Sequence, residues 1–142
     1  MNRVTDASVL IKIFVPEILS EKAEELHAQV MEGNLRLLAP DLIFAEVGNI
    51  IWKKHRMKEL TRNEAEEIVE AIISMPLEIE KSKALWPLAV DMGIAYGITV
   101  YDALYVSLAK IHEIMLVTAD RKLAEMMGKT DYKKYIAWLG NS

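Results

Sequence analysis

The feature that most constrains this chain is Ile114-Met115-Leu116-Val117, four apolar residues in succession with no polar residue between them. A strand with one wet face alternates apolar and polar side chains, so an unbroken run marks a strand covered on both faces. Such strands belong to parallel sheets, whose neighbours are joined by crossovers of a dozen or more residues, usually helical. Leu35 to Ala39 reads as another such strand, and Arg3 to Thr5 as a short one that ends at Asp6.

The intervening segments have helical signals. Val9 to Val15 is strongly apolar, and Pro16 suits the first turn of a helix from Glu17 to about Met31, ended by Gly33-Asn34. Asp41 is placed to cap a helix that continues to about Arg56. Thr61 with Glu64 has capping-box spacing, and Ala65, Ile68, Val69 and Ile72 keep helical period up to Ser74. Leu77 to Ile79 is a short strand, and Ser82 to Tyr96 a helix in which Pro87 either sits early or makes a kink. Gly97 makes a turn, Ile98-Thr99-Val100 a short extended piece, and Tyr101 to about Ile111 a helix with Leu104, Leu108 and Ile111 on one side. A short helix, Arg121 to Met127, follows Asp120; a turn from Gly128 to Asp131 leads to a final extended segment, Tyr135 to Leu139. Strands alternating with helices give an α/β fold, a mostly parallel sheet between helical layers. With no repeat, linker or low-complexity tract, residues 1–142 form a single domain.

Composition narrows the chemistry. Hydrophobic residues make up 52% of the chain, enough for a sizeable core. The absence of cysteine removes disulfide scaffolds, thiolate zinc sites and a cysteine nucleophile. No stretch approaches the roughly 20 apolar residues of a membrane helix, so a soluble, cytoplasmic protein without a membrane partner is expected. The formal charge of −4 argues against a purely salt-driven grip on nucleic acid. Its distribution is uneven, however, with Lys53, Lys54, His55, Arg56, Lys58 and Arg62 crowded together. That cluster suits either a solvated helix end or contact with an RNA backbone or an acidic partner.

The placement of four acids carries the functional signal. Asp6 lies at the carboxyl end of the first strand and Asp120 just past the fourth, the edge where α/β sheets gather their ligands. Glu46 interrupts the stripe Leu42, Ile43, Asn49 and Ile50, with no basic residue three or four positions away and Asn49 its one near polar neighbour. Asp102 opens a helix and shares a face with Tyr105, Val106 and Ala109. Singly, Asp6 suits a structural cap as well as a ligand, and Asp102 and Asp120 suit a cap better than a ligand. Together they suit a hard cation such as Mg²⁺ or Mn²⁺, which takes oxygen ligands and catalyses phosphodiester hydrolysis. No phosphate-binding glycine loop is present, and no histidine is placed to activate a serine.

The blocks Val4-Thr5-Asp6-Ala7-Ser8, Ala39-Pro40-Asp41-Leu42 with Ala45-Glu46-Val47, Thr99-Val100-Tyr101-Asp102-Ala103-Leu104-Tyr105, and Leu116-Val117-Thr118-Ala119-Asp120 fall in order from Val4 to Leu123. In this the chain closely resembles the PIN-domain ribonucleases, especially the VapC toxins of toxin–antitoxin pairs. The resemblance implies a three-layer, five-stranded sheet and a metal-dependent endoribonuclease using Mg²⁺ or Mn²⁺, with Asp6, Glu46, Asp102 and Asp120 as catalytic metal ligands. It implies Ser8 and Thr118 as orienting groups, and Asn49 stands beside Glu46 for the same task. It further implies an RNA substrate, a homodimer and a small antitoxin protein that reaches into the groove. Lys53, Lys54, Arg56, Tyr101 and Tyr105 are candidates for contact with RNA or antitoxin. The contrasting reading is a catalytically silent module of the same fold that binds RNA or protein without cutting.

Overall fold

The computed structural model describes residues 1–141. Five strands, β1 (Asn2–Thr5), β2 (Arg36–Pro40), β3 (Leu77–Glu80), β4 (Met115–Thr118) and β5 (Ile136–Trp138), form one sheet in the order β3-β2-β1-β4-β5. Every pairing is parallel, so the sheet expected to be mostly parallel is wholly so. Val4 lies opposite Leu38 on one side and Leu116 on the other, making β1 and its neighbours the buried centre. The chain moves outward from β1 to β2 and β3, then returns across the sheet to β4 and β5. The reversal therefore falls between β1 and β4, where a doubly wound sheet opens a crevice at its carboxyl edge.

The helices are α1 (Ala7–Phe14), α2 (Ser20–Met31), α3 (Leu42–Arg56), α4 (Arg62–Ser74), α5 (Ser82–Tyr96), α6 (Val100–His112) and α7 (Arg121–Met127). Short 3₁₀ turns occupy Asp131–Tyr135 and Leu139–Asn141. The apolar stretch after Asp6 is α1 itself, with Ala7, Val9, Leu10, Ile11 and Ile13 buried. Pro16 lies in the connector rather than in a helix. Ser20 orders that connector, its hydroxyl accepting from the Glu17 N–H and donating to the Val15 carbonyl, and α2 begins only there.

Two further expectations are corrected. Asp41 stands at the N-cap of α3 without capping it; its carboxylate is bound by the Ser82 N–H and hydroxyl instead, tying the start of α3 to the start of α5. Ile98-Thr99-Val100 forms no strand: Thr99 is extended, but its hydroxyl accepts from the Asp102 N–H and starts α6 already at Val100. Gly97, at φ +69°, ends α5 and makes the turn possible. Pro87 is the sixth residue of α5, within the helix and past its first turn. The capping box at Thr61 and Glu64 forms as its spacing requires.

Helix α6 is the central spine. All seven residues from Ala103 to Ala109 are buried, because α6 lies between β1, β2 and β4 on one side and α5 on the other. A helix apolar on every side belongs in such a position. Ile111, expected on the apolar side, lies beyond this covered stretch and is half exposed. No single helix among the described residues is long and apolar enough to cross a membrane.

Leu108 is fully buried in the middle of α6. Truncation in Leu108→Ala should lower the unfolding free energy by about 2–5 kcal/mol in urea denaturation. Thr61→Ala, which removes one exposed cap, should cost only about 1 kcal/mol in the same assay. Equal losses would place the core elsewhere than around α6.

Candidate active site

The chain passes from β1 directly into α1, and Asp6 is the residue at the junction. It caps α1 with Oδ1, which accepts from the Val9 N–H at 3.2 Å and from the Ser8 hydroxyl at 2.5 Å. Its Oδ2 accepts from the Thr118 hydroxyl at 2.5 Å, across the gap between β1 and β4. Both hydroxyls are aimed by backbone amides: the Ala119 N–H donates to Ser8 Oγ and the Asp120 N–H to Thr118 Oγ1. Asp6 is 6% exposed, and burial is the main reason its carboxyl is pushed up from 3.8 to about 6. The hydrogen bonds from Ser8, Thr118 and Val9 pull against that rise, and the charge of Asp120 adds to it.

Asp120 follows β4 and caps α7, its Oδ1 accepting from the Leu123 N–H at 3.1 Å. Asp102 is not a cap. Thr99 takes that role for α6, and Asp102 occupies the first turn, where a hydrogen bond with the Thr99 side chain favours its ionised form. The Asp102 carboxyl is raised by burial first, then by the negative charges of Asp120 and Glu46. Glu46 reaches the same place from α3. In that helix Ile43, Val47 and Ile51 face the core, leaving Glu46, Asn49 and Ile50 on its shoulder. The Glu46 carboxylate accepts from the Tyr105 hydroxyl of α6 at 2.5 Å.

These side chains border one cavity of about 290 Å³, lined by Asp6, Ala7, Ser8, Glu46, Asn49, Ile50, Asp102, Tyr105 and Asp120. Four carboxylates thus share a wall that contains no lysine, arginine or histidine. Their chemistry fits a hard divalent cation: oxygen donors in excess negative charge, with charge coupling that opposes ionisation of Asp6 and Asp102. The spacing is wider than a closed ligand group. Among the described residues, no three histidine, aspartate or glutamate side chains are gathered tightly enough to hold one ion. Asp6, Glu46 and Asp120 are each turned to a hydroxyl or amide donor, an arrangement that limits mutual repulsion.

The remaining candidates divide clearly. Ser8 and Thr118 bind the Asp6 carboxylate, and Asn49 lines the cavity. Tyr101 is 62% exposed, whereas Tyr105 is 2% exposed and borders only the cavity wall. Its expected contact role is replaced by the bond to Glu46, and its phenol is held well above its ordinary range, mainly by burial. The signal in the sequence was a polar group one helical turn beyond Asp102, in an otherwise apolar stretch. Lys54 pairs with Glu17 at 3.4 Å and Arg56 stacks on Trp52, which leaves Lys53, exposed and two turns beyond Glu46, as the member of the basic cluster best placed toward the site.

The raised Asp6 carboxyl sets a pH dependence. Folding opposes its ionisation, so its contribution to stability is complete below about pH 4 and is lost as pH rises through about 6. A shift of this size corresponds to about 3 kcal/mol. In chelator, thermal stability should decline between pH 4 and pH 7, with Asp102 adding to the decline in the same direction. Asp6→Asn should flatten that slope, and an unchanged slope would remove Asp6 as its source.

The PIN-domain family profile matches residues 3–129. The ribonuclease VapC3 of Pyrobaculum aerophilum is 36% identical over 127 residues, covering 88% of this chain and 94% of that protein. The crystal structure of PAE2754, also from Pyrobaculum aerophilum, superposes with a TM-score of 0.72 at 22% identity, covering 99% of this chain and 85% of that one. A toxin–antitoxin complex from Klebsiella pneumoniae contains a chain with a TM-score of 0.65 at 15% identity, with 95% of each chain covered. Fold, sequence and order of the blocks agree: the chain belongs to the PIN-domain family and is homologous to the VapC-type toxins within it.

Proposed function

We propose that this protein is an endoribonuclease dependent on Mg²⁺ or Mn²⁺, the toxin of a toxin–antitoxin pair, with Asp6, Glu46, Asp102 and Asp120 as its metal-holding catalytic residues. The observation that carries the reading is the cavity at the sheet reversal, where β1, α3, α6 and the β4–α7 loop each contribute one carboxylate and no cation answers them. When bound, a divalent cation supplies Lewis-acid chemistry for phosphodiester hydrolysis. The side chains of this chain do the rest. Ser8 and Thr118 keep the Asp6 carboxylate fixed, the Leu123 amide of α7 holds one oxygen of Asp120, and the first turn of α6 presents Asp102. Homology to a curated ribonuclease supports RNA as the substrate.

A wall of acids repels phosphates, so the substrate needs cationic contacts outside it. Lys53 is assigned that role, with Tyr101 at the exposed start of α6 as a second contact. A small antitoxin partner, self-association as a homodimer and action in the cytoplasm belong to the same reading. The exposed Trp86 and Ile94 of α5 provide an apolar surface suited to protein contact. The open spacing of the acids favours one alternative, a PIN-like module that binds RNA without cutting.

The deciding assay is cleavage of total cellular RNA by the purified chain with Mn²⁺ or Mg²⁺, and with chelator. Cutting should require the ion, and Asp120→Asn should reduce it at least about 100-fold without loss of fold. Binding without cleavage at any metal concentration would select the silent module. Lys53→Ala should raise KM more than it lowers kcat and reduce the slope of binding against log salt by about 1. An unchanged salt slope would remove Lys53 from the RNA path.

A further inference from the structure

We propose that Tyr105 is a positioning residue for Glu46, its hydroxyl fixing one carboxylate oxygen so that the other is available to a divalent cation. The inference rests on the metal-dependent reading above. Glu46 differs from the three aspartates in how it is held. Asp6 and Asp120 are short side chains anchored by the amides of the helices they cap, and Asp102 sits in the first turn of α6. Glu46 is the fifth residue of α3 and caps no helix, and its longer side chain has more rotatable bonds and more freedom to lose on ordering. No basic residue stands one turn away on α3 to restrain it.

The restraint comes from across the cavity. Tyr105 donates to Glu46 Oε1 at 2.5 Å, joining residues 59 positions apart in the chain. Its ring is 2% exposed and is enclosed in the fully buried stretch of α6, so the hydroxyl projects from a rigid support. Tyr105 also lies one helical turn beyond Asp102, so a single helix face presents one carboxylate and orients another. The bond occupies Oε1 and leaves Oε2 outside it. A ligating carboxylate braced in this way by an outer hydrogen bond binds its ion more tightly than a loose one.

The test is calorimetric titration of Mn²⁺ into the full chain, near neutral pH, for wild type, Tyr105→Phe, Glu46→Gln and the double variant. Phenylalanine keeps the buried ring and removes only the hydroxyl. Tyr105→Phe should weaken Mn²⁺ binding roughly 10-fold or more, and should add little further loss in the Glu46→Gln background, because it acts through Glu46. A purely structural tyrosine would lower the melting temperature of the metal-free chain and leave Mn²⁺ affinity alone. That result, with Glu46→Gln still weakened, would overturn the positioning role and spare the metal reading. Tighter Mn²⁺ binding in Tyr105→Phe would overturn it too, since the hydroxyl would then be withholding Glu46. No Mn²⁺ binding by the wild type would remove both.

Discussion

The burial of the Asp6 carboxylate at the junction of β1 and α1 governs how the carboxyl edge of the sheet is built. A carboxylate with 6% exposure must be hydrogen-bonded or it forces its own protonation. Here the donors come from both sides of the sheet reversal: Ser8 and Val9 from α1, and Thr118 from the end of β4. The Ala119 and Asp120 amides then bind the same two hydroxyls from the other side. Each hydroxyl therefore passes a hydrogen bond from a loop amide to Asp6, and such chains polarise and strengthen one another. The loop that carries Asp120 is held to β1 through this network, which fixes where the second acid sits relative to the first.

The same construction makes the edge costly. Glu46 and Asp102 are brought in on α3 and α6, and the resulting wall has four acids and no base. Charge from Asp120 and Glu46 resists ionisation of Asp102, as burial resists that of Asp6. A cavity that served only packing would carry apolar side chains, as Ala103, Leu104, Val106 and Leu108 of α6 do. Local destabilisation concentrated at one edge of an otherwise apolar sheet is the mark of a site shaped by function.

What could be read from the chain followed how local each determinant was. β4 was legible because its apolar run lies within four residues, and α7 and the capping box because their end signals are adjacent to them. Helix α1 was not, since Val9, Ile11, Ile13 and Val15 repeat every second residue as a strand would, and only the Asp6 cap settles the matter. Ile98-Thr99-Val100 misled in the same way: two β-branched residues flank a threonine whose hydroxyl is a cap. Asp41 matched a cap by position, yet Ser82, 41 residues later, takes its carboxylate. The four acids were visible as a set, and Ser8 and Thr118 as orienting groups, but that both would bind Asp6 and that Tyr105 would bind Glu46 was not. Thr118 lies 112 residues from Asp6 and Tyr105 lies 59 from Glu46, distances that only the sheet order brings together.

For Asp6 and Asp120, capping a helix and facing the cavity share one geometry. In a parallel sheet the helix after each strand starts at the carboxyl edge, so the N-termini of α1 and α7 open on the crevice beside the reversal between β1 and β4. An aspartate that caps such a helix is already in the site. Capping occupies Oδ1 of Asp120 with a single amide and leaves its second oxygen outside that bond. The start of α6 adds Asp102 in the first turn of a helix whose cap is supplied by threonine. Three helix N-termini thereby place their partial positive charge beside three carboxylates, which moderates the repulsion that the acids impose on one another. Glu46 is the exception: it lies one turn into α3 and caps no helix, and among the four it is the acid held by a buried side-chain hydroxyl from another helix. The difference in how the fourth acid is secured follows from where α3 can deliver it.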